Sequence, residues 1–304
     1  MNNDFIFTEI YNCGPIGAVS LKSYCRYAHK LVHVFGEVDD FKELGNIVNH
    51  PFIKPMSIGQ DIIDRFKNGH EGTAHLFATI CKLHGRNKRI IHFDSDIYFK
   101  KESLSEIIKA FDEGFDIIGT RRCYGNNPGR VKGLEDYPDT ISTYFMGMNL
   151  EKLPDYPIEY LAKMWQGAIH PLGWPILDFG DSVTHTMLNN GAKIKYLDWN
   201  KFGSQNSEGK KTNDYKSNLH LDMGSHLAHF GGVGSGYSVH NKMSFPEKSY
   251  AEWSLGRYEL FCKLFYNENI DYHSPTIYGD DGRWINGSPD EDILELVKQD
   301  LSNC

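Results

Sequence analysis

Two periodicities divide the first 120 residues into alternating elements. Phe5-Ile6-Phe7-Thr8 is a short apolar run and predicts a buried strand. Residues 18–27 predict a helix, and 30–35, with Leu31, Val32, Val34 and Phe35, a second strand. Over 73–84, Leu76, Phe77, Ile80 and Leu83 recur at helical spacing, and Gly85 supplies a stop. Arg89-Ile90-Ile91-His92-Phe93 is a third strand. Leu104, Ile107, Ile108 and Phe111 follow at i, i+3, i+4 and i+7, so 103–113 is an amphipathic helix closed by Gly114. Residues 115–119 return to a strand. Strands alternating with helices of this length predict an α/β fold with a mostly parallel central sheet and crossover helices.

The pattern loosens after residue 120. Residues 123–140 are rich in Gly, Asn, Pro and charge and predict a long loop. Residues 140–150 predict a strand, 181–190 a helix stopped by Gly191, and 193–197 a strand. Residues 200–218 are the most linker-like stretch, with Gly203, Gly209, Lys210 and Lys211. Residues 247–266 predict an aromatic amphipathic helix carrying Tyr250, Trp253, Tyr258, Phe261 and Phe265. Ser288-Pro289-Asp290-Glu291 reads as a capping box with Pro at N1, opening a last helix through residue 301.

Composition narrows the class. The chain has 304 residues, is 40% hydrophobic and 13% aromatic, and carries a formal charge of −8, so it describes a well-packed globular protein. That charge offers no broad cationic field for a polyanion, which disfavours nucleic acid as a partner. Cys13, Cys25, Cys81, Cys123, Cys262 and Cys304 are scattered with no C-x-x-C pair, the pattern of free thiols. Met1-Asn2-Asn3-Asp4 lacks a basic start, Phe5-Ile6-Phe7 is too short for a signal core, and no apolar run approaches a membrane span. A cytoplasmic location is expected.

The chemistry concentrates at Asp94-Ser95-Asp96, where an apolar strand runs into two carboxylates and apolar residues resume at once. Carboxylates at a sheet edge are costly unless paired, and hard oxygen ligands suit Mg²⁺ or Mn²⁺. Ligands of parallel sheets bind beyond the carboxyl ends of the strands, which also places Thr8, Glu9 and Tyr11 there. His229 ends an apolar segment beside Gly231 and Gly232, and such a histidine can complete a metal site begun by distant carboxylates. Asp178 and Asp181 flank a helix start, where an aspartate serves either as an N-terminal cap or as a base facing a cleft.

Taken in order, Thr8-Glu9, the 18–27 helix, the 32–35 strand, His70-Glu71-Gly72-Thr73-Ala74, Asp94-Ser95-Asp96, Asp178/Asp181 and His229-Phe230-Gly231-Gly232 resemble GT-A-fold, nucleotide-sugar-dependent glycosyltransferases. The resemblance spans roughly residues 4–240 and lies in the order of the motifs. It implies a Rossmann-like catalytic domain over 1–245, with a nucleotide-sugar half to about 120, an acceptor half beyond it, and a helical extension over 246–304 packed on the same domain. It implies Mn²⁺ or Mg²⁺ bridging the donor diphosphate, with Asp96 the direct ligand, Asp94 on the ribose or a metal-bound water, and His229 completing coordination. Thr8, Glu9 and Tyr11 would touch the base, while His70, Gly72 and Thr73 would close over base and ribose beside Ser95. Lys210 and Lys211 would belong to a lid that neutralises diphosphate. Asp181, with Asp178 as alternate, would deprotonate the acceptor hydroxyl of a saccharide or glycoconjugate in an inverting transfer. A nucleobase acceptor in DNA ranks lower.

Two departures matter. Gly180 precedes Asp181 where an acidic residue is frequent, and no Lys-Pro-Trp follows His229 as in retaining enzymes. Acceptor contacts are expected from Arg130, Lys132, Tyr144, Met146, Trp165, His170 and Trp174. Two other readings compete. A sugar-nucleotide-forming nucleotidyltransferase needs a basic glycine loop after the first strand, and residues 12–17 hold no Lys or Arg. A carbohydrate-binding protein with a lapsed site does not need Asp94, Asp96 and His229 together.

Overall fold

The computed structural model describes residues 4–66, 71–84, 89–122, 140–153, 179–202, 222–241, 248–266 and 291–302. The chain opens β1 (Phe5–Glu9), α1 (Pro15–Tyr27), β2 (Val32–Gly36), α2 (Val38–Glu43), β3 (Ile53–Ser57), α3 (Gln60–Phe66) and α4 (Glu71–His84). It continues through β4 (Arg89–Phe93), β5 (Ile97–Phe99), α5 (Leu104–Asp112), β6 (Ile117–Arg122) and β7 (Thr140–Asn149). Then follow α6 (Phe179–Asn189), β8 (Ile194–Tyr196), α7 (Trp199–Phe202), β9 (Asp222–Met223) and β10 (Leu227–His229). The last described helices are α8 (Val233–His240), α9 (Lys248–Tyr266) and α10 (Glu291–Ser302).

The main sheet has seven strands in the order β3-β2-β1-β4-β7-β6-β8. β1 pairs in parallel with both β2 and β4, and β7 alone runs against its neighbours. This is the mostly parallel α/β sheet flanked by helices that the alternating pattern predicts. Strand alternation sends Ile6, Val32, Val34, Ile91 and Phe93 to one face, against α1. Phe5, Phe7 and Ile90 face the other way, against Leu76, Phe77 and Ile80 of α4. Both faces are therefore buried, which is why these strands read as continuous apolar runs.

Three features lay beyond the pattern. β3 is an edge strand with Ile53 as its buried anchor and Pro55 inside it, so it has neither alternation nor an apolar run. α2 and α3 are single short helices between strands. A second, antiparallel sheet in the order β5-β10-β9 sits past the end of β4. Its strands are two or three residues long and carry no readable period.

The C-terminal helices pack on this frame. Arg26 of α1 pairs with Asp300 of α10, and Tyr98 donates to the same carboxylate at 3.0 Å. Tyr258 of α9 meets Tyr237 of α8 edge to face at 5.3 Å. Among the described residues, no helix is long and apolar enough to cross a membrane.

Candidate active site

β1 and β4 are adjacent and parallel, with Phe7 opposite His92, so their carboxyl ends share one edge of the sheet. Past β4 the chain leaves the main sheet, and after Asp94-Ser95-Asp96 it enters the second one as β5. Backbone bonds pin both sides of that step. Asp94 N–H donates to the Tyr144 carbonyl on β7 at 2.9 Å, and Phe230 N–H donates to the Asp96 carbonyl at 2.8 Å. Ile97 pairs with His229 across the β5–β10 ladder. Asp94, Asp96 and His229 thereby offer one ligand atom each, all within 4.8 Å of one another.

The side chains are held as firmly as the backbone. His229 Nε2 lies 3.2 Å from Asp96 Oδ1 and 3.8 Å from Asp94 Oδ2. Its ring stacks on Tyr144 with centroids 4.6 Å apart, and the Tyr144 hydroxyl donates to the Phe202 carbonyl at 3.1 Å. On the other side, His92 lies buried between two acids. Its Nδ1 faces the Thr143 carbonyl at 3.0 Å. A carbonyl only accepts, which assigns the proton there. Nε2 then faces Glu9 Oε2 at 3.3 Å and Asp94 Oδ1 at 3.8 Å. Carboxylate and imidazole thus alternate from Glu9 through His92, Asp94 and His229 to Asp96.

This alternation separates the two aspartates electrostatically. Burial, together with the charges of Asp96 and Glu9, pushes the Asp94 carboxyl up, against the pull of His92 and His229. Burial also acts on Asp96, but the charge and hydrogen bond of His229, then the charge of Arg257, hold it below the usual carboxylate range. His92 is raised: the hydrogen bond and charge of Glu9 and the charge of Asp94 outweigh its desolvation. Crowded carboxylates with an imidazole beside them form a donor set that fits a hard divalent cation.

Around this centre the predicted residues divide. Glu9 touches His92 and so joins the site. Thr8 is fully buried within β1, and its Oγ1 has no hydrogen-bond partner among the described residues. Tyr11 is half-buried in the loop after β1, with its hydroxyl pushed up by burial and then by Glu37, Asp40 and Asp64. Ser95 lies beside the buried Cys13 thiol, which donates to the Ile10 carbonyl at 3.0 Å. Gly14 lets this loop close: its φ is +63°, and a Cβ there would meet the Tyr237 ring at 2.6 Å. Gly72 is buried in the first turn of α4, next to Thr73 on the same helix. His70, Asp178, Lys210 and Lys211 lie outside the described residues.

Asp181 stands apart. It lies in the first turn of α6 with no exposed surface, and Thr140 Oγ1 donates to its Oδ1 at 2.6 Å. Thr140 opens β7, four residues before Tyr144. As placed, the carboxylate fastens the start of α6 to β7. Tyr144 and Met146, expected at the acceptor, are each 1% exposed, because β7 is an interior strand covered on both faces. Arg130, Lys132, Trp165, His170 and Trp174 lie outside the described residues.

Sequence reasoning passed over His92 and Arg257. The signal for His92 is a polar side chain inside an apolar strand, two residues before an acid. For Arg257 it is a charge on the apolar face of α9, four residues before Phe261.

No protein-family model matches the sequence, and no curated protein matches it. Among solved structures, the galactosyltransferase LgtC in complex with donor and acceptor sugar analogs is 13% identical, with a TM-score of 0.48 over 78% of this chain and 94% of that one. Mouse xyloside xylosyltransferase 1 is 16% identical, with a TM-score of 0.42 over 65% and 86%. The 4-diphosphocytidyl-2C-methyl-D-erythritol synthase of Anaerococcus prevotii is 13% identical, with a TM-score of 0.41 over 64% and 86%. These distant likenesses assign no activity.

Proposed function

We propose that the chain is a metal-dependent glycosyltransferase. It would move a sugar from a nucleoside-diphosphate sugar, UDP being favoured, to a hydroxyl of a saccharide or glycoconjugate. The observation that carries this reading is the convergence of Asp94, Asp96 and His229 from two different sheets at the carboxyl edge of the parallel strands. The buried free thiols Cys13, Cys25 and Cys262 support a cytoplasmic site of action.

In this reading the bond between the anomeric carbon and the β-phosphate oxygen breaks, and a bond from that carbon to the acceptor oxygen forms. The acceptor's proton leaves to a base, and the nucleoside diphosphate departs. Asp96, Asp94 and His229 would hold Mn²⁺ or Mg²⁺, which supplies positive charge beside the departing diphosphate. Glu9 and His92 keep Asp94 aimed, while Tyr144 fixes the plane of the His229 ring. For an inverting transfer the candidate bases are Asp181 and, as alternate, Asp178; the bond that Asp181 Oδ1 accepts from Thr140 of β7 favours the alternate.

Thermal melts with UDP-, GDP-, dTDP- and CMP-sugars, with and without Mn²⁺, test the reading. One donor should raise the melting midpoint when Mn²⁺ is present, and Asp96→Asn should abolish the rise. A rise with nucleoside triphosphate and sugar phosphate, and none with any nucleotide sugar, would favour the nucleotidyltransferase instead. Mn²⁺-dependent donor hydrolysis surviving in Asp96→Asn would sink the metal assignment.

A further inference from the structure

Arg257 is among the largest fully buried side chains, and it comes from α9, outside the segment that resembles a catalytic domain. Its Nε–H donates to the Gly231 carbonyl at 2.6 Å. Gly231 follows Phe230, whose N–H holds the Asp96 carbonyl, and Phe230 follows His229. The guanidinium is therefore fixed to the turn that carries one metal-site residue and clasps another. α9 approaches this closely because position 236 of α8 is glycine: a Cβ there would meet the Ser254 carbonyl oxygen at 2.0 Å. The contact of Phe230 with Phe261, with centroids 6.3 Å apart, continues the same seam.

A buried guanidinium is costly unless an anion compensates it. Two carboxylates that share one small site carry the opposite burden, because each raises the cost of ionising the other. The charge of Arg257 acts on Asp96 in the relieving direction.

We propose that Arg257 is a positioning residue, a built-in cation from the C-terminal helix that holds Asp96 and the His229 turn assembled before an ion arrives. The inference rests on the acidic site as a cation site, and it does not depend on which sugar or nucleotide is used. A divalent ion supplies the same positive charge, so ion and arginine are partly redundant in holding Asp96.

Arg257→Gln tests this, because glutamine still donates to the Gly231 carbonyl but carries no charge. The melting midpoint without metal should fall. The rise produced by Mn²⁺ alone should exceed that of the wild type, and Mn²⁺ affinity by calorimetry should tighten about tenfold as a like charge leaves the site. Arg257→Lys should bring both readouts back toward wild type. A Mn²⁺ rise in Arg257→Gln equal to or smaller than the wild-type rise overturns the proposal, since a latch on Gly231 alone predicts no gain. Asp96→Asn, melted without metal at pH 8.5 in a His229→Gln background that already lacks the Asp96–His229 contact, gives a second arm that does not need Arg257→Gln to fold. Loss of the Asp96 charge beside the buried arginine should still lower the midpoint, whereas relief of acid–acid repulsion raises it and overturns the proposal. A wild type with no Mn²⁺ shift removes the ion from the proposed function, and the Asp96→Asn arm still decides Arg257.

Discussion

The two acidic spots that the sequence marks for chemistry are built in opposite ways. Asp94 and Asp96 lie where the chain passes from one sheet to another, and their side-chain neighbours are charged or titratable: Glu9, His92, His229 and Arg257. Asp181 lies within a helix packed on β7, and the partner of its Oδ1 is a neutral hydroxyl, Thr140. All three carboxylates are largely removed from water, with 30% of the Asp94 side chain exposed, 11% of Asp96, and none of Asp181. Burial is thus shared by both spots and does not mark the proposed metal site. Convergence of groups that perturb one another does, because their strained charges leave a place for a ligand's charge.

The widest separation between the two spots should appear on removing one charge from each. Asp96→Asn removes a ligand atom and should weaken Mn²⁺ binding by about 100-fold or more, with the fold intact, as read by calorimetry and circular dichroism. Metal affinity within a few-fold of wild type would place the cation elsewhere and erase the contrast.

Asp40 falls between the two cases and offers the next largest effect. It is buried, and it accepts from the Asn12 and Glu37 backbone N–H groups at 2.9 and 2.7 Å, holding the loop after β1. Burial outweighs these two donors and pushes its carboxyl up to about 6. The folded state therefore binds more protons than the unfolded chain between pH 4 and 6, as the carboxyl's ordinary value is 3.8. Its contribution is fully present below about pH 4 and is lost as pH rises through about 6, on the order of 3 kcal/mol. Melting curves from pH 4 to 7 should show this slope in the wild type and a flatter one in Asp40→Asn. Parallel slopes would assign the titration to another group.

Asp181 supplies the structural side of the contrast. Asp181→Ala removes the acceptor of the 2.6 Å bond from Thr140 and should cost about 2 kcal/mol in denaturant unfolding. The variant's folded fraction should keep its Mn²⁺ affinity and its rate of donor hydrolysis. Unchanged stability with lost transfer would restore the base role to Asp181.

The contrast also explains what could be read in the sequence. The strands β1, β2, β4, β6 and β7 and the helices α1, α4, α5, α6 and α9 show there because each is long enough, or buried evenly enough, to display a period. Asp94-Ser95-Asp96 shows because acids interrupt an apolar run. His229 was reachable through its glycine-rich turn, but the ladder that brings it to Asp96 has strands of two or three residues, too short to announce themselves. Asp181 was ambiguous from the start: an acid in the first helical turn looks the same whether it faces solvent or a threonine from a distant strand. His92 and Arg257 sit in apolar patterns as single polar residues. What brings them to the site is tertiary: the parallel register of β1 with β4, and the close approach of α9 allowed by Gly236.

The finest division runs through one side chain at the proposed metal site. Tyr144 stacks its ring on His229 and sends its hydroxyl away, to the Phe202 carbonyl. The two ends of the residue therefore serve different purposes: the ring packs on the imidazole of the proposed metal ligand His229, and the hydroxyl ties β7 to α7. Tyr144→Phe keeps the ring and should cost about 1 kcal/mol of stability, with Mn²⁺ affinity unchanged. Tyr144→Leu removes the flat surface that holds the imidazole plane and should lower Mn²⁺ affinity about tenfold. Equal losses of affinity in the two variants would mean that the hydroxyl, acting through Phe202 and the second sheet, sets His229 and that the stacked ring is packing alone.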